Sequence, residues 1–115
     1  MKNTMYIVVN KDLSMSTGKV AAQVGHACTE YLMDVLTGQN EAEKRKCQLW
    51  YNDCQKKIIL KACSKAMSHL ASENGAYPVY DLGLTEIEPD SLTAICLGIF
   101  DQENLPKTIK RLQCY

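Results

Sequence analysis

The 115-residue sequence has few of the features that mark disordered, membrane-spanning or secreted chains. Only six glycines and three prolines are present, and no segment is compositionally biased, so a folded globule is expected. No apolar run approaches the roughly 20 residues that a membrane-spanning helix needs. The residues before the first apolar run, Met1 to Thr4, lack the apolar core of a signal peptide. We therefore expect one domain over residues 1–115, located in the cytoplasm and not in a membrane.

The sequence also has no excess of charge of either sign, because 13 basic and 13 acidic residues give a formal net charge of zero. This balance is not typical of proteins that bind nucleic acid tightly through overall charge. Most basic clusters are solvated faces, whereas clusters that converge on one site would bind phosphate groups. The clusters in this sequence are Lys44-Arg45-Lys46, Lys56-Lys57, and Lys107 with Lys110-Arg111.

Several motifs of metal sites and nucleophilic enzymes are absent as well. The six cysteines include no Cys-x-x-Cys pair, and neither histidine is spaced with them as a zinc ligand would be. There is no Gly-x-Ser-x-Gly motif, and Gly18-Lys19 is not a Walker A loop because Leu13 and Val20 occupy key positions. Five cysteines fall in apolar patterns and are expected to be small buried residues: Cys28, Cys47, Cys54, Cys63 and Cys96.

An apolar strand followed by an amphipathic helix dominates the first third of the chain. Met5 to Val9 is apolar and rich in β-branched residues, as is typical of a buried strand. Ser16 or Thr17 can cap the helix that follows. Apolar positions then recur at steps of three and four, at Val20, Val24, Cys28, Tyr31 and Val35.

A row of polar side chains shares one face of this helix, which we expect to lie opposite the apolar stripe. The row consists of Lys19, Gln23, His26 and Glu30. Lys19 falls in the first turn, where the helix dipole disfavours a cation by about 0.3–1 kcal/mol. The row is explained either by a solvated face or by a lysine presented at the strand-to-helix crevice, the usual ligand position in open α/β sheets. Periodicity does not choose between these explanations.

The rest of the chain completes an α/β pattern. A second helix begins near Asn40, after a break at Gly38, and carries Trp50 on its apolar stripe, which favours a core position over base stacking. A third helix is predicted at 63–73, and a last helix opens at Asn104 with Leu105, Ile109 and Leu112 facing inward. Three further strands are predicted at 57–60, 77–80 and 92–100. The order βααβαββα predicts a four-stranded mixed sheet flanked by helices.

Polar residues follow the third predicted strand and begin the fourth. Asp81 ends the third strand, Thr93 stands at the start of the fourth, and Thr85 lies between them. Each has a structural explanation, because strand-end carboxylates often cap turns and threonines often satisfy backbone groups. If strands one, three and four are neighbours, however, Lys19, Asp81 and Thr93 would meet in one crevice.

Two separated blocks of the sequence resemble the type II peptidyl-tRNA hydrolase family. The first block covers residues 8–27 and contains Asp12-Leu13, Gly18-Lys19, Ala21-Ala22-Gln23 and His26-Ala27 after the apolar strand. The second block covers residues 81–93. The resemblance implies an α/β enzyme, commonly dimeric, that hydrolyses the ester between peptide and tRNA without a metal or cofactor.

The resemblance also implies the site residues. Lys19, Asp81 and Thr93 match the catalytic positions of the family, and Thr85, Gln23 and His26 match positions around the substrate. The chain departs from the usual pattern at three places. Asn10 stands where family members usually have Arg, Asp90 where they have Gly, and Gly98-Ile99 where they have Gly-Pro.

The matched residue types suit ester hydrolysis. An ester needs a positioned water, an acceptor that orients or deprotonates this water, and a cation where the oxyanion develops. The hypothesis is that Asp81 handles the water, Lys19 stabilises the oxyanion and keeps Asp81 ionised, and Thr93 fixes the geometry by hydrogen bonding. The alternative is a noncatalytic module of the same fold that binds a protein partner.

Overall fold

Five strands form one mixed sheet in the computed structural model, which describes residues 3–82 and 87–115. They are β1 (Asn3–Asn10), β2 (Lys57–Ala62), β3 (Tyr77–Tyr80), β4 (Leu92–Asp101) and β5 (Gln113–Cys114). Their order across the sheet is β3-β4-β1-β2-β5. β1 and β2 run parallel, and the other neighbouring strands run antiparallel. The predicted α/β class and mixed sheet are confirmed.

The described helices lie on both faces of this sheet. They are α1 (Thr17–Thr37), α2 (Glu41–Asn52), α3 (Ser64–Ala71) and α4 (Lys107–Lys110). Successive side chains of β1 point to opposite faces, so Met5 and Ile7 pack with α1 and α2, whereas Tyr6 and Val8 pack with α3 and α4. Burial on both faces explains why the central strand β1 is continuously apolar.

The helix ends predicted in the first half of the chain are confirmed. Ser16 Oγ accepts a hydrogen bond from the Lys19 N–H at 3.3 Å, and Gly38 is the C-cap of α1. Asn40 caps α2, because its side-chain oxygen accepts from the Glu43 N–H at 3.1 Å. Trp50 is a core residue, 2% exposed.

The end of the chain differs from the prediction. Helix α4 spans only four residues and begins after Pro106, not at Asn104. The chain then returns to the sheet as β5, where Cys114 pairs with Leu60 of β2. Ile109 is buried in this arrangement, as it would be in a longer helix. The spacing of apolar residues therefore does not distinguish a long last helix from a short helix followed by a two-residue strand. The observed order is βααβαββαβ, with five strands instead of four.

The cysteine prediction holds only in part. Cys47 and Cys96 are buried, and Cys28 and Cys63 are partly buried, but Cys54 is exposed. Cys54 lies beyond the end of α2 at Asn52, so the helical spacing that placed it on the apolar stripe does not apply. None of the helices within the described ranges is long and apolar enough to cross a membrane.

Candidate active site

A cleft of about 590 Å³ opens between α1 and β3, the edge strand of the sheet. Helix α1 contributes the whole predicted polar row to its wall, namely Lys19, Gln23, His26 and Glu30. The other wall is formed by residues 78–82, from β3 and the segment that follows it. The N-terminal half of α1 and the end of β3 therefore enclose one site.

Lys19 and Asp81 form an ion pair in this cleft, although they are 62 positions apart in the chain. Lys19 Nζ lies 2.6 Å from Asp81 Oδ1, and the two side chains are 11% and 8% exposed. Lys19 stands three residues after the N-cap of α1 and Asp81 follows β3 directly. The negative charge of Asp81 offsets the unfavourable interaction between the Lys19 ammonium and the positive end of the helix dipole. Limited access to solvent strengthens the charge-assisted hydrogen bond between them.

Thr93 is fully buried and is not among the residues that line the cleft. Its Oγ1 lies 2.5 Å from Gln23 Oε1 and 3.2 Å from the carbonyl oxygen of Val79. A hydroxyl carries one proton, so it donates to one of these oxygens at a time. Thr93 thereby connects the sheet to α1 one turn after Lys19.

An irregularity in the β3–β4 pairing coincides with Thr93. Val79 pairs with Ala94, and the next residue, Tyr80, pairs with Leu92. Thr93 is therefore the extra residue of a β-bulge in β4. Such bulges redirect side chains and are common beside functional sites. The extra residue of β4 is the one that reaches Gln23.

The polar row of α1 lies beside the buried side of the helix and not opposite to it. Gln23 is 4% exposed and belongs to the same buried set as Ala27 and Tyr31, whereas Val20 and Val24 are only partly buried. The prediction of an opposite face was wrong. Gln23 can be buried because its side-chain amide contacts the hydroxyl of Thr93, and the apolar pattern of the helix does not reveal this contact. His26 and Glu30 are exposed at the cleft.

The sequence model of the family described as peptidyl-tRNA hydrolase PTH2 matches residues 3–115. The chain belongs to this family. A relative named peptidyl-tRNA hydrolase from Pyrobaculum aerophilum is 38% identical over 118 residues, covering 96% of either chain. Proteins of the same name from Haloquadratum walsbyi and Sulfurisphaera tokodaii are 38% and 35% identical, covering 95% and 85% of this chain and 96% and 86% of their own. The resemblance seen in the two sequence blocks is confirmed.

In this PTH2 family member, the predicted site residues fall into three groups. Lys19 and Asp81 are in contact, Gln23 and His26 line the same cleft, and Thr93 lies under it. Thr85 is outside the described residues. Among those described, no group of three or more His, Cys, Asp or Glu side chains is arranged to hold a metal ion.

A buried asparagine beside the site was not recognised in the sequence as part of it. Asn10 is 4% exposed, and its Nδ2 donates to the Leu92 carbonyl at 3.0 Å and to Ser64 Oγ at 3.1 Å. Its Oδ1 accepts from the Asp12 N–H at 3.0 Å. Asn10 thus fixes the end of β1 to the first residue of β4, next to Thr93. The sequence feature that could have indicated this role is the amide side chain of Asn10 at the end of an otherwise apolar strand.

The other two departures from the usual family pattern also have a structural setting. Asp90 has a positive φ of 62°, a conformation that asparagine and aspartate adopt more readily than other residues with a side chain. Gly98 has a φ of 101°, and Ile99 after it is buried in the core. Neither residue lines the cleft that holds Lys19 and Asp81.

Proposed function

We propose that this chain hydrolyses peptidyl-tRNA at the ester bond between the peptide and the tRNA ribose, which releases free peptide and free tRNA. The observation that carries the proposal is the pairing of Lys19 Nζ with Asp81 Oδ1, 2.6 Å apart in an open cleft. An ammonium and a carboxylate in contact supply both a charge for a developing oxyanion and an acceptor for water. Membership of the PTH2 family supports the choice of substrate.

In the proposed reaction, Asp81 accepts a hydrogen bond from a water molecule and orients or deprotonates it. The water oxygen attacks the ester carbonyl carbon, and Lys19 stabilises the negative charge that develops on the carbonyl oxygen. When the tetrahedral intermediate collapses, the bond to the ribose oxygen breaks. The ribose oxygen takes up one proton of the attacking water, the peptide leaves as a carboxylate, and the second proton of the water passes to solvent. No cofactor or metal takes part in this proposal.

The remaining site residues position the catalytic groups or contact the substrate. Thr93 holds Gln23, and therefore the first turns of α1, through the buried 2.5 Å contact. Gln23 and His26 contact the substrate from the wall of the cleft, and Thr85 is assigned the same role on the sequence pattern alone. We further propose that residues 1–115 act as one domain, in the cytoplasm, as a homodimer.

Release of labelled N-acetyl amino acid from N-acetyl-aminoacyl-tRNA, the smallest mimic of peptidyl-tRNA, tests the function. We expect the unmodified protein to release the label, and Lys19→Ala to lower kcat by about 10²–10³-fold, as the loss of an oxyanion stabiliser does elsewhere. Lys65→Ala is the matched control, since Lys65 is an exposed lysine of α3 on the opposite face of the sheet. Absence of release by the unmodified protein would refute the function, whereas normal turnover by Lys19→Ala would remove only Lys19 from the mechanism.

A further inference from the structure

Strand β3 leaves one edge of the sheet open next to the ion pair. Within residues 3–82 and 87–115, β3 pairs only with β4. The Asp81 N–H donates to the Ser91 carbonyl at 2.9 Å, and these two residues flank the register pair Tyr80 and Leu92. In an antiparallel ladder this places Tyr80 at a non-hydrogen-bonded position, so the Tyr80 N–H and C=O point away from β4.

The neighbouring residues of β3 follow the same alternation. Val79 directs its carbonyl toward β4, where it lies 3.2 Å from Thr93 Oγ1. Pro78, one residue earlier, therefore presents its carbonyl to the outer edge and has no N–H to present. The outer edge offers one donor, from Tyr80, and two acceptors, from Tyr80 and Pro78.

This edge is continuous with the candidate active site. Pro78 and Tyr80 line the same cleft as Lys19 and Asp81. On the opposite wall, Ala22 and Thr29 of α1 are small. An extended chain lying against β3 would therefore reach the ion pair without leaving the cleft.

The charge of the cleft favours a peptide over a nucleic acid strand as the occupant of this edge. Among the lining residues that the structure describes, Lys19 is the only lysine, and it is already paired with Asp81, whereas Glu30 adds a further carboxylate. Binding of a phosphodiester chain depends on basic residues that neutralise its phosphates. A peptide backbone instead requires the donors and acceptors that β3 presents.

We propose that the peptide part of the substrate adds to the outer edge of β3 as a short strand, with its terminal ester at Lys19 and Asp81. This inference rests on the proposed function and names how the substrate is recognised. Hydrogen bonds between main chains do not depend on side chains, so the edge would accept peptides of any sequence. The four residues of β3 span about 13 Å and match three or four peptide residues.

The test varies the substrate and leaves the protein unchanged. KM is measured for peptidyl-tRNAs that carry one to six residues, with N-methyl groups placed singly along the peptide. We expect KM to fall with length up to three or four residues and then to stay constant. Because every second residue of an added strand bonds to the edge, N-methylation should raise KM at alternate positions, by about 2- to 12-fold, with little change in kcat.

A pair of variants tests the edge from the protein side. Tyr80→Pro removes the N–H that points outward, one of the three hydrogen-bonding groups of this edge, and should weaken the dependence of KM on peptide length, whereas Tyr80→Ala keeps this N–H and should retain the dependence in full. A KM that is independent of length, or equally sensitive to N-methylation at all positions, would overturn strand addition. If the protein fails to hydrolyse N-acetyl-aminoacyl-tRNA at all, the proposed function itself has failed.

Discussion

Thr93 Oγ1 and Gln23 Oε1 lie 2.5 Å apart, although the two residues are 70 positions apart in the chain. Both side chains are at least nine-tenths buried. Gln23 lies one turn after Lys19 on α1, so this contact sets the distance between the sheet and the helix that carries the lysine. A buried polar contact of this kind is costly to disrupt from one side only, because the remaining group loses both its partner and water.

Thr93→Val is expected to weaken both stability and turnover. The substitution keeps the shape of the side chain but removes the hydroxyl, and Gln23 Oε1 loses the contact. We expect the free energy of unfolding to fall by about 1–3 kcal/mol, measured by urea denaturation, with a parallel fall in kcat. Thr93→Ser keeps the hydroxyl and should retain most of both.

The double variant Thr93→Val with Gln23→Leu separates packing from positioning. Replacing both polar groups by apolar ones can recover the lost stability, but it restores neither the hydrogen bond between the sheet and α1 nor the substrate contact proposed for Gln23. We therefore expect recovered stability together with an impaired kcat. Recovery of kcat along with stability would show that Thr93 serves only the fold.

The meeting of Lys19 and Asp81 was predictable because it depends on topology. A lysine just after an apolar strand and a carboxylate at the end of another strand approach one another if the strands lie near each other in the sheet. The contact between Gln23 and Thr93 was not predictable from apolar spacing, because the helical pattern counts Gln23 as a polar surface residue. The backbone contact of Thr93 with Val79 carries no sequence signal, since every residue has a carbonyl.

The same reasoning explains why the sequence did not predict the fifth strand at the end of the chain. Strand β5 has two residues, too few for a periodic signal, and it pairs with β2 through Cys114 and Gln113. The Tyr115 N–H adds one hydrogen bond to the Ile59 carbonyl at 2.8 Å. Such pairing is determined by the open edge of β2, which becomes available only once the sheet has formed.

Breaking the Lys19–Asp81 pair from one side is expected to cost stability as well as activity. The two side chains are 11% and 8% exposed, so the loss of one partner leaves the charge of the other with little access to water. We expect Lys19→Met and Asp81→Leu each to lower the free energy of unfolding by up to about 3 kcal/mol, the lower end for buried pairs. The double variant should recover most of this loss and stay inactive. Additive losses in the double variant, measured by urea denaturation, would contradict the coupling.

The hydrogen bond between Tyr77 and Asp34 predicts how stability depends on alkaline pH. The Tyr77 hydroxyl donates to Asp34 Oδ2 at 2.5 Å. This hydrogen bond, followed by burial, raises the pKa of Tyr77 from 10 to about 12. Between these values the folded protein binds more protons than the unfolded chain, so stability falls as pH rises from about 10 to 12. Below pH 10 the contribution of Tyr77 is fully present.

Tyr77→Phe should make this fall shallower, because the phenol that titrates is gone. Some slope will remain, since burial also raises the pKa of Cys96 to about 12. Urea midpoints measured between pH 8 and pH 12 provide the comparison, with Tyr51→Phe as the control because Tyr51 is exposed. An unchanged slope in Tyr77→Phe would refute the assignment of the titration to this residue.

Two glycines should respond to alanine substitution with opposite signs. Gly98 has a φ of 101°, and a Cβ there would lie 3.4 Å from the ring of Tyr31. Gly98→Ala should therefore lower the free energy of unfolding by about 1–3 kcal/mol, through backbone strain and crowding. Gly25 lies within α1 with open space at its Cβ position, and Gly25→Ala should raise the free energy of unfolding by about 0.5–1 kcal/mol, because alanine loses less backbone entropy in a helix. Thermal unfolding of the two variants provides the measurement. A higher melting temperature for Gly98→Ala would contradict the strain expected at Gly98, and a lower one for Gly25→Ala would contradict the open space at Gly25.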